Sequence, residues 1–350
     1  MKRDETKRIF VGSVPVGGGA AVTVQSMCST DTRDAEATLE QMRQLKAAGC
    51  DIIRVAVPDE TAAHALRDIM AQAPMPVVAD IHFDYRLALL AAEAGVDAVR
   101  INPGNIGAPE HVAAVASACK ARHIPIRIGV NTGSLEKRLL EKYGGPTAEA
   151  LVESAAGEIE ALGAAGFEDV ALSVKASDVG LTVAAYRLAA ERFDCPLHVG
   201  VTEAGTSYGG LVNSAVGIGT LLMEGIGDTI RVSLTADPLE EVRAGLAILR
   251  ACGLRKGGVR FVSCPTCGRT RIDLISLAKK VEARVSGLDR DITVAVMGCE
   301  VNGPGEAREA DFGIAGGPGF GSLFVKGQVV RTKVPEDQLL DGLMELIEMG

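Results

Sequence analysis

Tryptophan is absent from this 350-residue chain, and aromatic residues make up only 3% of it. With a formal net charge of −9 and so few stacking groups, the composition excludes nucleic-acid binders that need basic grooves and aromatic platforms. No apolar run reaches the roughly 18 residues of a membrane helix, so no membrane span is expected. Met1 to Phe10 carries charges of both signs and leads into glycines. A secretory leader would have an apolar centre there, so the expected location is the cytoplasm. Thiols stay reduced in that compartment, and the eight cysteines do not read as a disulfide framework.

What is abundant is glycine, at 41 residues, and hydrophobic residues, at 47%. That mixture suits a buried parallel sheet with many tight βα turns. The length exceeds the roughly 250–300 residues of one hydrophobic core, so a large domain plus a small one is expected. One pattern recurs: an Ala-rich stretch ends near Gly, an acidic residue follows, then a β-branched run. It occurs as AAGCDIIRVAV, AEAGVDAVRIN, AAGFEDVALSVK and GIGDTIRVSLT. Glycine fits the helix C-cap and the β-branched run fits a buried strand. VTVQSM, PVVADIHF, PIRIGVNTG and PLHVGVTEAG complete eight strands between Val22 and Leu234. Eight alternating βα units read as a closed (β/α)8 barrel. A doubly wound open sheet is the alternative, and no G-x-G-x-x-G after the first strand supports it. The barrel domain is expected over 1–253, with a small α+β domain over 254–350. The smaller domain reads as strand RFVSC, a helix near 272–285, strand ITVAVMG, a hairpin at Lys326–Gly327 and a closing helix over 336–349.

Asp-x-x-Arg stands at three strand starts: Asp51/Arg54, Asp97/Arg100 and Asp228/Arg231. Arg127 and Lys175 also sit inside strands, each between apolar neighbours. Alternation sends those neighbours to the helices and the cations into the barrel. A dry core does not hold five cations without counter-charges. Salt bridges to Asp80, Glu203 and similar residues are one reading, and an anionic ligand is the other. Arginine suits bidentate phosphate binding. At the strand C-terminal ends, where barrel active sites lie, stand Asp80, His82, Asn102, Asn131, Ser177, Glu203 and Ser233. Glu203 is the main acidic residue at its strand end, and so the candidate for proton transfer.

Cys264-Pro-Thr-Cys267 puts two thiols in one turn, and Cys299 follows a second strand. Three convergent thiolates suit zinc or an iron–sulfur cluster. Structural zinc usually takes a second C-x-x-C knuckle, which is missing here. Glu306, after a Gly-Pro-Gly turn, is the nearest candidate for a fourth position. A hard carboxylate matches a soft cluster poorly, and its chemistry alone favours a solvated loop residue.

The motifs VQSMCSTDTRD, VADIHFDYRLAL, RINPGNIG, RIGVNTGSLEKRLLEKYG, SVKASD, GVTEAGT, GIGDTIRVSL, CPTCGR and MGCEVNGPGEAREAD run almost end to end. In them the chain resembles the 4-hydroxy-3-methylbut-2-enyl diphosphate synthases of the non-mevalonate isoprenoid pathway. The resemblance implies reductive ring opening of 2-C-methyl-D-erythritol 2,4-cyclodiphosphate. Electrons would come from flavodoxin or ferredoxin through a [4Fe–4S] cluster on Cys264, Cys267, Cys299 and Glu306. It implies a diphosphate grip of Arg54, Arg100, Arg127, Lys175, Arg231 and Ser233, with Asn102 and Asn131 beside it and Glu203 assisting the substrate. It also implies a C-terminal module of the sulfite/nitrite reductase kind. The homodimer it implies has the cluster domain of one subunit capping the barrel of the other. Two other readings stay open: a pterin-binding barrel methyltransferase, and a non-catalytic anion sensor with a structural zinc knob.

Overall fold

The computed structural model describes residues 2–101, 106–288, 290–299 and 308–350. The chain falls into two compact units, Met1–Arg255 and Lys256–Gly350.

The first unit opens with a hairpin of β1 (Ile9–Val11) and β2 (Val14–Val16). Eight parallel strands follow: β3 (Thr23–Met27), β4 (Ile52–Ala56), β5 (Val77–Ile81), β6 (Ala98–Ile101), β7 (Ile126–Asn131), β8 (Val170–Lys175), β9 (His198–Val199) and β10 (Thr229–Ile230). They pair in the order β8-β7-β6-β5-β4-β3-β10-β9. The ring closes between β8 and β9, where Leu172 bridges Leu197 and its N–H donates to the Pro196 carbonyl at 2.8 Å. The eight strands are those read from the sequence. The hairpin was not, because IFVGSVPV is short and interrupted by Gly12 and Pro15.

Helices α1 (Ala35–Ala47), α2 (Glu60–Met70), α3 (Tyr85–Ala94) and α4 (Pro109–Lys120) follow the first four barrel strands. After β7 come α5 (Lys137–Tyr143) and α6 (Ala148–Ala164). Helices α7 (Val179–Arg192), α8 (Ser207–Met223) and α9 (Pro238–Ala251) complete the outer ring. None of the described helices is long and apolar enough to cross a membrane. Ile53, Val55, Val77, Ala79, Val99, Ile126 and Ile128 pack outward into one core with the helices. Ile52, Val78, Ala98 and Ala171 point inward, where Ile9, Val11 and Val16 of the hairpin cover them and form an apolar floor.

Aspartate serves the βα units at both ends. Asp34, Asp59, Asp84, Asp178 and Asp237 each cap a helix N-terminus by accepting from its first-turn N–H groups, the usual N-cap role. Asp51, Asp97 and Asp228, the first members of the Asp-x-x-Arg motifs, do something else. Their carboxylates accept the N–H of Val24, Val77 and Leu197 on the adjoining strand side, each at 2.8 Å. They tie neighbouring strands together at the barrel floor, three residues before the arginine that enters the interior. None of the three pairs with its own motif's arginine. Asp51 instead holds Arg255 bidentately, at 2.8 and 3.1 Å.

The second unit is a five-stranded sheet ordered β11-β12-β13-β14-β15. Its strands are β11 (Val259–Ser263), β12 (Ile292–Met297), β13 (Phe312–Gly317), β14 (Phe320–Val325) and β15 (Gln328–Pro335). Helices α10 (Leu274–Val285) and α11 (Leu339–Met349) share its core. The first three strands are parallel and the last two antiparallel. Strand β13 escaped the sequence reading because FGIAGG carries three glycines. A Cβ at Gly313 would stand 2.1 Å from the Phe324 ring, so the glycine is the space that Phe324 fills.

Burial pushes the Asp228 carboxyl up to about 6, while the Leu197 N–H and the Thr6 hydroxyl oppose the rise. Its stability contribution is therefore full below the ordinary carboxylate range and is lost as pH rises through about 6. Asp228→Asn should flatten the dependence of the urea midpoint on pH across that window. Asp228→Ala, which orphans the Leu197 N–H, should cost about 1–3 kcal/mol. An Asn variant retaining the wild-type slope would contradict this account.

Candidate active site

Above the apolar floor the inner face turns polar. Met27, Arg54, Asp80, His82, Arg100, Arg127, Gly129, Asn131, Ser173, Lys175, His198, Thr202, Arg231 and Ser233 line a cavity of about 240 Å³. Its residues come from all eight strands or the turns that follow them. It opens at the strand C-terminal ends, the catalytic face of such barrels. Two glycines keep it open. A Cβ on Gly129 would lie 2.5 Å from Arg100 Nε, and one on Gly200 would lie 2.7 Å from Lys175 Nζ.

The cations are unequally satisfied. Arg100 donates to Asp80 Oδ1 at 2.9 Å, and Arg54 approaches Asp80 Oδ2 at 3.5 Å. Arg54 also directs its guanidinium at the Met27 sulfur, at 3.1 and 3.2 Å. Arg127 bonds the Gln25 side-chain carbonyl, and its Nη2 has no partner. Arg231 Nη2 reaches both oxygens of Glu241 at 3.4 Å, leaving its Nε unpartnered. Glu241, on α9, is 4% exposed. It also accepts from Ser26 Oγ at 3.1 Å and the Leu234 N–H at 3.0 Å. Tyr186, fully buried on α7, donates to the His198 carbonyl at 2.5 Å.

Burial lowers Arg54 to about 10 and pulls Arg127 and Lys175 well below their ordinary values, and the neighbouring guanidiniums add to each fall. The arginines nevertheless keep their charge. Burial opposes ionisation of Asp80, but Arg54, His82 and Arg100 outweigh it and hold the carboxyl far below its usual range. Burial, then the guanidiniums led by Arg127, pull His198 well below its ordinary value and keep it neutral. Five basic side chains thus face two carboxylates, Asp80 and Glu241, in and around a cavity open at the strand C-terminal ends. The cavity has the chemistry of an anion receptor, and several donors at once suit a diphosphate.

Of the residues named from sequence, the cavity gathers Arg54, Asp80, His82, Arg100, Arg127, Asn131, Lys175, Arg231 and Ser233. Ser177 and Glu203 are exposed and do not line it. Glu203 makes no ion pair among the described residues, so the counter-ion expected there is Glu241 instead. Glu203 adopts φ +50°, a left-handed conformation uncommon for a non-glycine residue. Asn102 and Glu306 lie outside the described residues. His198 and Glu241 were missed, yet both left signals. His198 has the inward parity of its strand, and Glu241 interrupts the buried stripe Val242, Gly245 and Leu249 of its helix.

In the second unit, the Cys264 turn follows β11 and Cys299 follows β12, adjacent parallel strands in register at Ser263 and Val296. The Gly298 N–H donates to Cys264 Sγ at 3.2 Å, and the Arg271 N–H donates to the Gly298 carbonyl at 3.0 Å. The Cys267 thiol is lowered by the Arg269 backbone N–H against a small opposing burial effect. N–H groups aimed at sulfur fit thiolate ligands of a cluster. Among the described residues, no three His, Cys, Asp or Glu side chains gather as a single metal ion would require. A cluster, larger than an ion, keeps its thiolates further apart. Cys28, Cys50, Cys119 and Cys195 are buried, with thiols pushed up to about 12 chiefly by burial. They behave as core residues.

The profile of the GcpE TIM-barrel domain matches residues 6–246, and that of the GcpE protein C-terminal domain matches residues 260–349. The chain belongs to the GcpE family. It is 60% identical over 344 residues to the 4-hydroxy-3-methylbut-2-en-1-yl diphosphate synthase (flavodoxin) of Geobacter sulfurreducens, covering 98% of this chain and 97% of that one. It is 57% identical over 348 residues to the protein of the same name from Clostridium perfringens, covering 99% of each. Among solved structures, dihydropteroate synthase of Yersinia pestis matches 70% of this chain and 98% of its own, with TM-score 0.50 at 14% identity. The corresponding protein of Coxiella burnetii matches 71% and 99%, with TM-score 0.50 at 11% identity. At such identity these two share the barrel fold alone.

Removing Arg127, whose free Nη2 lies at the cavity, should weaken pyrophosphate binding roughly 10- to 100-fold, the scale of one charge-assisted hydrogen bond. Calorimetry on Arg127→Ala checks this. An unaltered affinity would separate the cavity from anion binding.

Proposed function

We propose that the chain is a 4-hydroxy-3-methylbut-2-enyl diphosphate synthase. It opens the ring of 2-C-methyl-D-erythritol 2,4-cyclodiphosphate with two electrons and expels one oxygen as water. The observation that carries this reading is the cavity of five cations and two carboxylates, in a chain 60% identical to a protein of that name. Flavodoxin, printed in the relatives' names, is the electron donor, with ferredoxin as the alternative.

Arg54, Arg100, Arg127, Lys175, Arg231 and Ser233 bind the diphosphate, with Asn102 and Asn131 beside them. Asp80 holds Arg54 and Arg100 in place and His82 borders the same carboxylate. Ser177 belongs to the rim that closes on the substrate. Glu203 moves a proton at the substrate, and its left-handed backbone is the kind of strain that functional sites retain. Cys264, Cys267 and Cys299 would hold a [4Fe–4S] cluster, with Glu306 as a displaceable fourth ligand. When bound, the cluster supplies low-potential electrons singly. The C-terminal unit, over about 254–350, is then a cluster domain of the sulfite/nitrite reductase kind. In the homodimer, one subunit's cluster domain caps the other's barrel and excludes water from the reacting substrate.

The test is conversion of the cyclodiphosphate by anaerobic protein with reduced flavodoxin, alongside iron and acid-labile sulfide analysis. About four irons and four sulfides per chain are expected of a [4Fe–4S] centre. Cys299→Ala should lose both cluster and turnover. Glu306→Gln should keep much of the iron and lose rate. Stoichiometric zinc without iron after reconstitution would turn the thiols into a structural site and end the redox reading.

A further inference from the structure

The charge balance of the cavity leaves two groups without an ion pair: Arg127, which bonds the neutral Gln25 side chain, and Lys175, which has no polar partner among the described residues. Lys175 ends β8 and is 8% exposed. The charges that act on it most are Arg127 on β7, Arg231 just after β10, Arg54 on β4 and Arg100 on β6. His198, from β9, is neutral. Asp80 on β5 is engaged with Arg54 and Arg100, and Glu241 on α9 with Arg231, Ser26 and Leu234. His82 sits beyond Asp80 with half its side chain in solvent. Ser173, on Lys175's own strand, is uncharged. No carboxylate reaches Lys175, and among the described residues its ammonium has neither an ion pair nor a hydrogen bond.

Guanidiniums do not release protons in proteins, whereas a buried lysine does so readily. The excess positive charge of the empty cavity therefore has a single outlet. We propose that Lys175 is an uncharged amine when no anion is present and takes up a proton as an anion enters, so that anion and proton bind together. An anion's negative charge offsets the four guanidiniums and makes the ammonium form favourable. The cavity then acquires its fifth cation only when there is something for it to hold. This rests on the reading of the cavity as an anion site and deepens it. The lysine of the diphosphate grip arrives at the bound state newly protonated.

The linkage has a definite sign. A group that gains a proton on binding makes binding tighten as pH falls. Between the free and bound pKa values of Lys175, affinity should weaken about tenfold for each unit of pH rise. Sulfate is the probe, because it does not titrate near neutrality, and the measurement is made at pH 8. Calorimetry of sulfate binding to the anaerobically prepared full-length chain, in buffers of differing ionisation enthalpy, counts the protons. Wild type should take up about one proton per sulfate. Lys175→Arg, which keeps the cation but cannot deprotonate, should bind sulfate with no uptake. Binding without uptake in wild type, or equal uptake in the variant, overturns the proposal while leaving the anion site standing. No sulfate binding by wild type removes the anion site and the proposal with it. Should Lys175→Arg not fold, the slope of wild-type affinity between pH 7.5 and 8.5 decides instead: a flat line overturns the coupling.

Discussion

Positive charge enclosed by a closed sheet is the condition to which the rest of this barrel answers. Strand alternation leaves no choice of side: once Arg54, Arg100, Arg127, Lys175 and Arg231 take strand positions of one parity, they share the interior. Such charge is tolerable only with partners, room and access to ligand. Asp80 and Glu241 supply the partners, Gly129 and Gly200 the room, and the C-terminal mouth the access. Below them the hairpin floor of Ile9, Val11 and Val16 makes the opposite end apolar. Field lines from the cations are thereby directed toward the open mouth. The same layout draws an anion in and orients it.

Much of this was legible in the sequence because two periodicities agree. Period-two alternation marked the barrel strands, and a glycine followed by an acidic residue marked where four of them began. What resisted reading was structure whose cause is tertiary. FGIAGG is a strand because Phe324 needs the volume above Gly313, which nothing local announces. The β1–β2 hairpin exists because the barrel floor is apolar, a surface assembled from Ile52, Val78, Ala98 and Ala171. Asp51, Asp97 and Asp228 were legible only as a motif at three strand starts, without a role of their own. They bond backbone N–H groups of the adjoining strand side, since those groups lie at the floor and the arginines at the mouth.

The site shows the same division. Inward cations follow from parity alone, and His198 obeys the same parity, so its inward position was legible in PLHVGV. Glu241 required knowing that α9 lies against β10 and β3, where Ser26 and Arg231 meet it. Ser177 and Glu203 have the right strand ends but stand beyond the last inward position, so strand-end position alone did not carry their side chains into the cavity. The family resemblance named the thiol set more firmly than chemistry did. In the structure, backbone N–H groups of Gly298 and Arg269 are directed at Cys264 and Cys267.

The hairpin floor has a consequence for how the chain is made. Residues 9–16 leave the ribosome ahead of the barrel strands, yet the surface that receives them includes Ala171 of β8. Proteins emerge N-terminus first at about 5–20 residues per second. For several seconds, then, Ile9, Val11 and Val16 have no complete seat. A segment synthesised before every barrel strand thus docks only after β8 is made, and until the barrel curls round to β8 it is an apolar stretch that a chaperone would recognise.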